Sequence, residues 1–137
     1  MNYLGWALVA LVGYSVFTPL ASVATNHLPS NVVALGANTM LAVTALAVTL
    51  VRGDDVVGGL TGEYAVYVAG AGVALSVGIL AYYRALATGP VSVVTPVYGS
   101  FLVFSSLLSV AFLDESLSAT KVVGIGLTVL GVFLVAR

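Results

Sequence analysis

The side chains with any capacity for chemistry are few, and nearly all of them are uncharged. Near the start of the chain Ser15, Thr18, Ser22 and Thr25 follow one another at spacings of 3, 4 and 3. That spacing puts four hydroxyls on one face of a helix, with Tyr14 beside them. Pro19, inside the stripe, lacks a backbone N–H, so it is expected to kink the helix and free a carbonyl near its centre. Pro96 repeats the arrangement beside Thr95 and close to Tyr98. Asn38 stands alone among apolar neighbours, where an amide costs stability unless it is partnered. Tyr14, Thr18, Asn38, Thr95 and Tyr98 are therefore candidates to touch a substrate through hydrogen bonds and aromatic surface, without charge. A second reading stands beside this one: hydroxyls bonded to their own i−4 carbonyls, and Asn38 bridging two helices, are ordinary helix glue.

Other chemistries lack their residues. The chain has no cysteine, so thiolate catalysis and cysteine-based metal sites are excluded, and the lone His27 beside a proline turn has no ligand set around it. No nucleophile is paired with a base and no two carboxylates are placed for acid–base work, so neither an enzyme nor a cofactor is expected. All five acids, Asp54, Asp55, Glu63, Asp114 and Glu115, fall in short hydrophilic stretches. Arg84, directly after Tyr82 and Tyr83, has the surroundings of a membrane-interface anchor, with aromatic company and a helix C-terminus. A gate for an anionic substrate is the alternative.

The elements that must position these groups are set by the solvent. Of 137 residues 61% are hydrophobic and 7% charged, which leaves too little polar surface to wrap a core in water. The solvent is lipid. Four basic residues against five acidic ones exclude nucleic acid as a partner. Five nearly charge-free runs approach the roughly 20 residues that cross a bilayer as a helix: about 3–25, 31–51, 64–87, 91–113 and 118–136. The first is too long, and lacks the basic flank, to be a signal peptide. The sequence predicts an all-α integral membrane protein, a single domain over 1–137 with five transmembrane helices, multi-pass in the plasma membrane. Ser30 and Ser118 are expected as N-caps, Gly89 as a left-handed C-cap before Pro90. The glycine- and charge-rich stretch from Arg52 to Glu63 is expected to be a solvated, mobile loop. With five spans, Arg52 and Lys121 fall on the N-terminal side and Arg84 and Arg137 on the other. Two against two gives the positive-inside rule nothing to act on, so insertion in both orientations and a fixed topology are both open.

The stretch from Tyr82 to Arg137 resembles the second part of an EamA-type repeat of the drug/metabolite transporter superfamily. Aromatic-Arg-Ala-Leu precedes a Gly-Pro turn, a proline stands early in the next span at Pro96, Glu115 follows that span, and a glycine-spaced helix closes the chain. The two preceding spans fit the same five-helix unit. The resemblance implies a transporter, and full-length members look like two such units fused in inverted orientation, with the substrate path between them near the midplane. One unit alone then implies an antiparallel homodimer, or a heterodimer with another half-size unit, and an even split of basic residues is what a two-way-up chain requires.

Gly124 and Gly131 lie seven residues apart on one face of the last span, where a second helix can approach closely. The related small multidrug resistance transporters dimerise through a similar helix, which implies a dimer interface here; packing within the monomer is the alternative. Gly70, Ala74 and Gly78 form a second small-residue stripe, expected to make a contact within the monomer. Unlike those transporters, the first span carries no carboxylate, so proton exchange on an acid there is not expected. The resulting expectation is alternating access for a small metabolite or amphipathic compound. The alternative is a non-transporting membrane subunit, or a flippase component for a lipid carrier.

Overall fold

The computed structural model describes residues 2–112 and 118–135. Asp114, Glu115 and Arg137, with the ends of the fourth and fifth predicted spans, lie outside the described residues. Every element is helical: α1 (Tyr3–His27), α2 (Ser30–Arg52), α3 (Val56–Thr61), α4 (Ala65–Leu86), α5 (Val91–Gly99), α6 (Phe101–Phe112) and α7 (Ala119–Val135). Among the described residues four stretches are long and apolar enough to cross a membrane: α1, α2, α4, and Val91–Val110, which joins α5 to most of α6. α7 is a shorter apolar helix. The chain divides into two compact units, Met1–Thr88 and Gly89–Arg137.

In the first unit α4 packs against α1, α2 and α3, and α1 also meets α2. α1 starts on a side-chain cap, with Gly5 N–H donating to Asn2 Oδ1 at 3.0 Å, and runs unbroken through Pro19. Its last turn closes through Leu28 N–H to Ala24 O. Ser30 is not the cap of α2: that position falls to Pro29, whose carbonyl accepts from Val32 and Val33, and Ser30 is the buried first residue of the helix. Proline is suited to this boundary because it has no N–H to leave unsatisfied.

Two further expectations are corrected. α2 ends on Gly53 at φ 73°, with Gly53 N–H to Leu50 O and Asp54 N–H to Thr49 O, so the left-handed cap is here. Gly89 plays no such part: α4 ends with Ala87 in the right-handed region, and the Thr88 hydroxyl donates to the Arg84 and Ala85 carbonyls. The stretch expected to be a loop contains α3, capped by Gly58 N–H donating to Asp55 Oδ1 at 2.9 Å. A Cβ at Gly58 would collide with the Asp55 carboxylate, so the glycine leaves room for the cap.

In the second unit α5 and α6 both pack against α7. The fourth predicted span is interrupted at Ser100, whose N–H closes on Pro96 and Val97 and whose hydroxyl donates to Val97 O at 2.6 Å. α5 stays helical through Pro96; the interruption follows Gly99, a poor helix former. Ser118 does cap α7, accepting from Lys121 N–H on its hydroxyl at 3.3 Å and from Val122 N–H on its carbonyl.

Candidate functional site

Burial in the first unit is confined to one end. Thr18, Ala21, Ser22 and Thr25 of α1, Ser30 and Ala34 of α2, and Tyr82, Tyr83 and Leu86 of α4 are buried. These come from the second half of α1, the start of α2 and the last turns of α4, which three successive antiparallel helices bring to the side opposite the N-terminus. Toward the N-terminal side the same helices expose Trp6, Leu8, Leu46, Leu50, Val66 and Val73. In water such exposure would be costly, but in lipid these side chains are solvated by acyl chains.

The hydroxyl stripe read from the sequence is this buried face, with one exception. Thr18, Ser22 and Thr25 point inward, whereas Ser15 is exposed and donates to Leu11 O at 2.8 Å. Thr18 Oγ1 lies 3.0 Å from Tyr14 O and 3.0 Å from the Tyr82 hydroxyl. A threonine hydroxyl has one proton; with that proton on the Tyr14 carbonyl, Tyr82 donates and Thr18 accepts. Phe17 fills the centre of an aromatic group, edge-on to Tyr14 (centroids 6.0 Å, 85°) and to Tyr83 (5.8 Å, 82°), and 6.5 Å from Tyr82. Edge-to-face geometry sets the positive rim of one ring against the negative face of the next. The cluster thus combines hydroxyls with aromatic faces on apolar helices.

Tyr82 and Tyr83, the aromatic company expected of Arg84, are 3% and 1% exposed, packed inward against the protein, and of the three only Arg84 faces outward. Their spacing with Leu86, one helical turn on, is the signal that could have marked a buried face. Asn38 is half-buried, and its amide donates to Ala34 O one turn back at 2.8 Å. It borders a shallow groove of about 390 Å³ whose lining, from Leu35 to Leu46, belongs to α2 alone.

The remaining candidates belong to the second unit. Tyr98 packs on Phe101 with centroids 5.1 Å apart. The Thr95 hydroxyl is buried and has no hydrogen-bond partner among the described residues. One residue on, Pro96 deprives the Ser92 carbonyl of its usual helical donor. A groove of about 480 Å³ runs between α6 and α7, with Ser106, Ser109, Lys121, Gly124 and Thr128 in its lining. Gly124 and Gly131 are exposed, with nothing within 4 Å of where a Cβ would stand. The same openness surrounds Gly70 and Gly78, and Ala74 is exposed, so the contact within the monomer expected of that stripe is not made among the described residues.

Several apolar helices of membrane-spanning length define the class: a multi-pass membrane protein. The chain belongs to the EamA-like transporter family, whose model matches residues 1–137. Searches of curated proteins and of solved structures find no match.

Proposed function

We propose that the protein carries a small metabolite or amphipathic compound across the plasma membrane by alternating access, as an antiparallel homodimer of five-span units. The observation that carries this reading is the one-ended packing of the first unit: α1, α2 and α4 bury their contacts at one membrane face and leave their other halves without them. A helix group closed at one face and loose at the other is half of a two-ended gate, and an inverted second copy supplies the other half. α7, at 17 residues, counts as the fifth span at the lower limit of roughly 17–25 residues. An odd number of spans places the two chain ends on opposite sides.

In this reading Tyr14 and Thr18 contribute aromatic and hydroxyl contacts from the first unit. Thr95 and Tyr98 are further candidate contacts, and the Thr95 hydroxyl, without a partner among the described residues, is the group most in need of a ligand atom. Asn38 lines the solute path, Pro19 and Pro96 are the bending points, and exposed Gly124 and Gly131 form the seam between copies. Arg84 anchors its end of α4 at the headgroups.

The test joins topology to transport. C-terminal reporters active on opposite sides of the membrane should both give signal, and the purified protein in liposomes should take up a solute identified by thermal-shift screening. Signal from one reporter alone would rule out the antiparallel homodimer, and a protein stabilised by no solute in a broad screen and moving none would rule out the carrier.

A further inference from the structure

The segment between α2 and α4 is polar by composition, yet its helix presents an apolar face. Val57 and Leu60, three residues apart on one side of α3, are 72% and 57% exposed. Just beyond them Tyr64 and Tyr67, again three apart, are 67% and 72% exposed, with ring centroids 6.3 Å apart. Asp54, Asp55 and Glu63 flank the helix rather than interrupt it.

Chain length limits where this face can be. α2 and α4 have 23 and 22 residues, or roughly 34 and 33 Å at the helical rise, so they span a hydrocarbon core of about 30 Å with little left over. Gly53–Asp55 and Gly62–Tyr64 tether α3 to them, and three residues reach about 10 Å at most. The headgroup layer on each side is itself roughly 5–8 Å deep. The tethers therefore hold α3 at the membrane surface.

The backbone is prepared for that place. Asp55 caps the helix through Gly58 N–H, Gly59 N–H bonds to Asp55 O, the Thr61 hydroxyl donates to Val57 O, and Ala65 N–H bonds to Gly62 O. Internally satisfied polar groups lower the cost of leaving water, and tyrosine is a favoured residue at headgroup depth.

We propose that α3 is an interfacial helix that seats Val57 and Leu60, with Tyr64 and Tyr67, in the headgroup layer of the bilayer, its three carboxylates turned to water. With acids outnumbering the single Arg52, the lipid surface it fits is zwitterionic.

The native chain has one tryptophan, so Trp6→Phe gives a silent background for Leu60→Trp, Val57→Trp and Asp54→Trp, each reconstituted in phosphatidylcholine vesicles with or without bromines near the top of the acyl chains. At positions 57 and 60 the emission should be blue-shifted, protected from acrylamide and reduced about twofold or more by the brominated lipid, as for a shallowly buried helix face; at position 54 it should behave as in water. If either Leu60→Trp or Val57→Trp, in protein that reconstitutes as the parent does, emits as in water and ignores the brominated lipid, the interfacial seat is overturned.

Discussion

At Thr18 the two readings of a membrane hydroxyl, glue and site, meet in one atom. Its oxygen bonds to its own helix through Tyr14 O and accepts from Tyr82 on another. Removing the donor in Tyr82→Phe leaves the internal bond intact and should destabilise by about 0.5–1 kcal/mol, the range for a hydrogen bond between membrane helices. Thr18→Val removes the bond to Tyr82 and the one to Tyr14 O together and should cost about 0.5–2 kcal/mol. A double-mutant cycle from unfolding in detergent should give a coupling near the first figure. Thr95 predicts the opposite sign. Its buried hydroxyl has no partner among the described residues, so Thr95→Val should stabilise the protein by about 1 kcal/mol while weakening solute-dependent thermal stabilisation, a trade expected where a polar atom is kept for a ligand.

Among the elements, the helix termini test how the fold is punctuated. Gly53 sits at φ 73°, and Gly53→Ala should cost about 1–2 kcal/mol in left-handed strain, measured as a lowered unfolding midpoint. Gly58→Ala forces the Asp55 carboxylate away from the cap, and Asp55→Ala removes it; both should speed amide exchange across residues 56–61, with Asp55→Ala costing about 0.5–2 kcal/mol locally. Span positions were legible because hydropathy and length act within one segment: 3–25, 31–51 and 64–87 were expected against Tyr3–His27, Ser30–Arg52 and Ala65–Leu86. The inward face of α1 was legible too, since 3.6-residue periodicity survives in the spacing of Thr18, Ser22 and Thr25. What meets that face was not, because helix-to-helix register is a property of two segments together. Tyr82 and Tyr83 beside an arginine have the composition of an interface belt, and only packing shows them buried. α3 was hidden by its two glycines, which read as a loop until the Asp55 cap is seen to need one of them small.

For the whole molecule, the proposed homodimer makes α7 the seam between copies. Gly124 and Gly131 leave one face of α7 bare, and Gly131→Leu should block close approach of a second helix there. Cross-linking in membranes should show dimer lost in that variant and kept in Gly126→Leu, the same change on another face of α7 where a Cβ also meets nothing within 4 Å; undiminished dimer in Gly131→Leu places the seam on another helix.

The unequal ends of the first unit carry a consequence for energetics. In an antiparallel pair of identical chains, alternating access requires the two copies to differ in conformation, and swapping those conformations converts the inward-open state into the outward-open one. The two states are then degenerate by symmetry, with an equilibrium constant of one before any gradient is applied. Such a carrier has no built-in rectification: the concentration difference alone sets the direction of net flux, and a partner of different sequence is what it takes to break the tie.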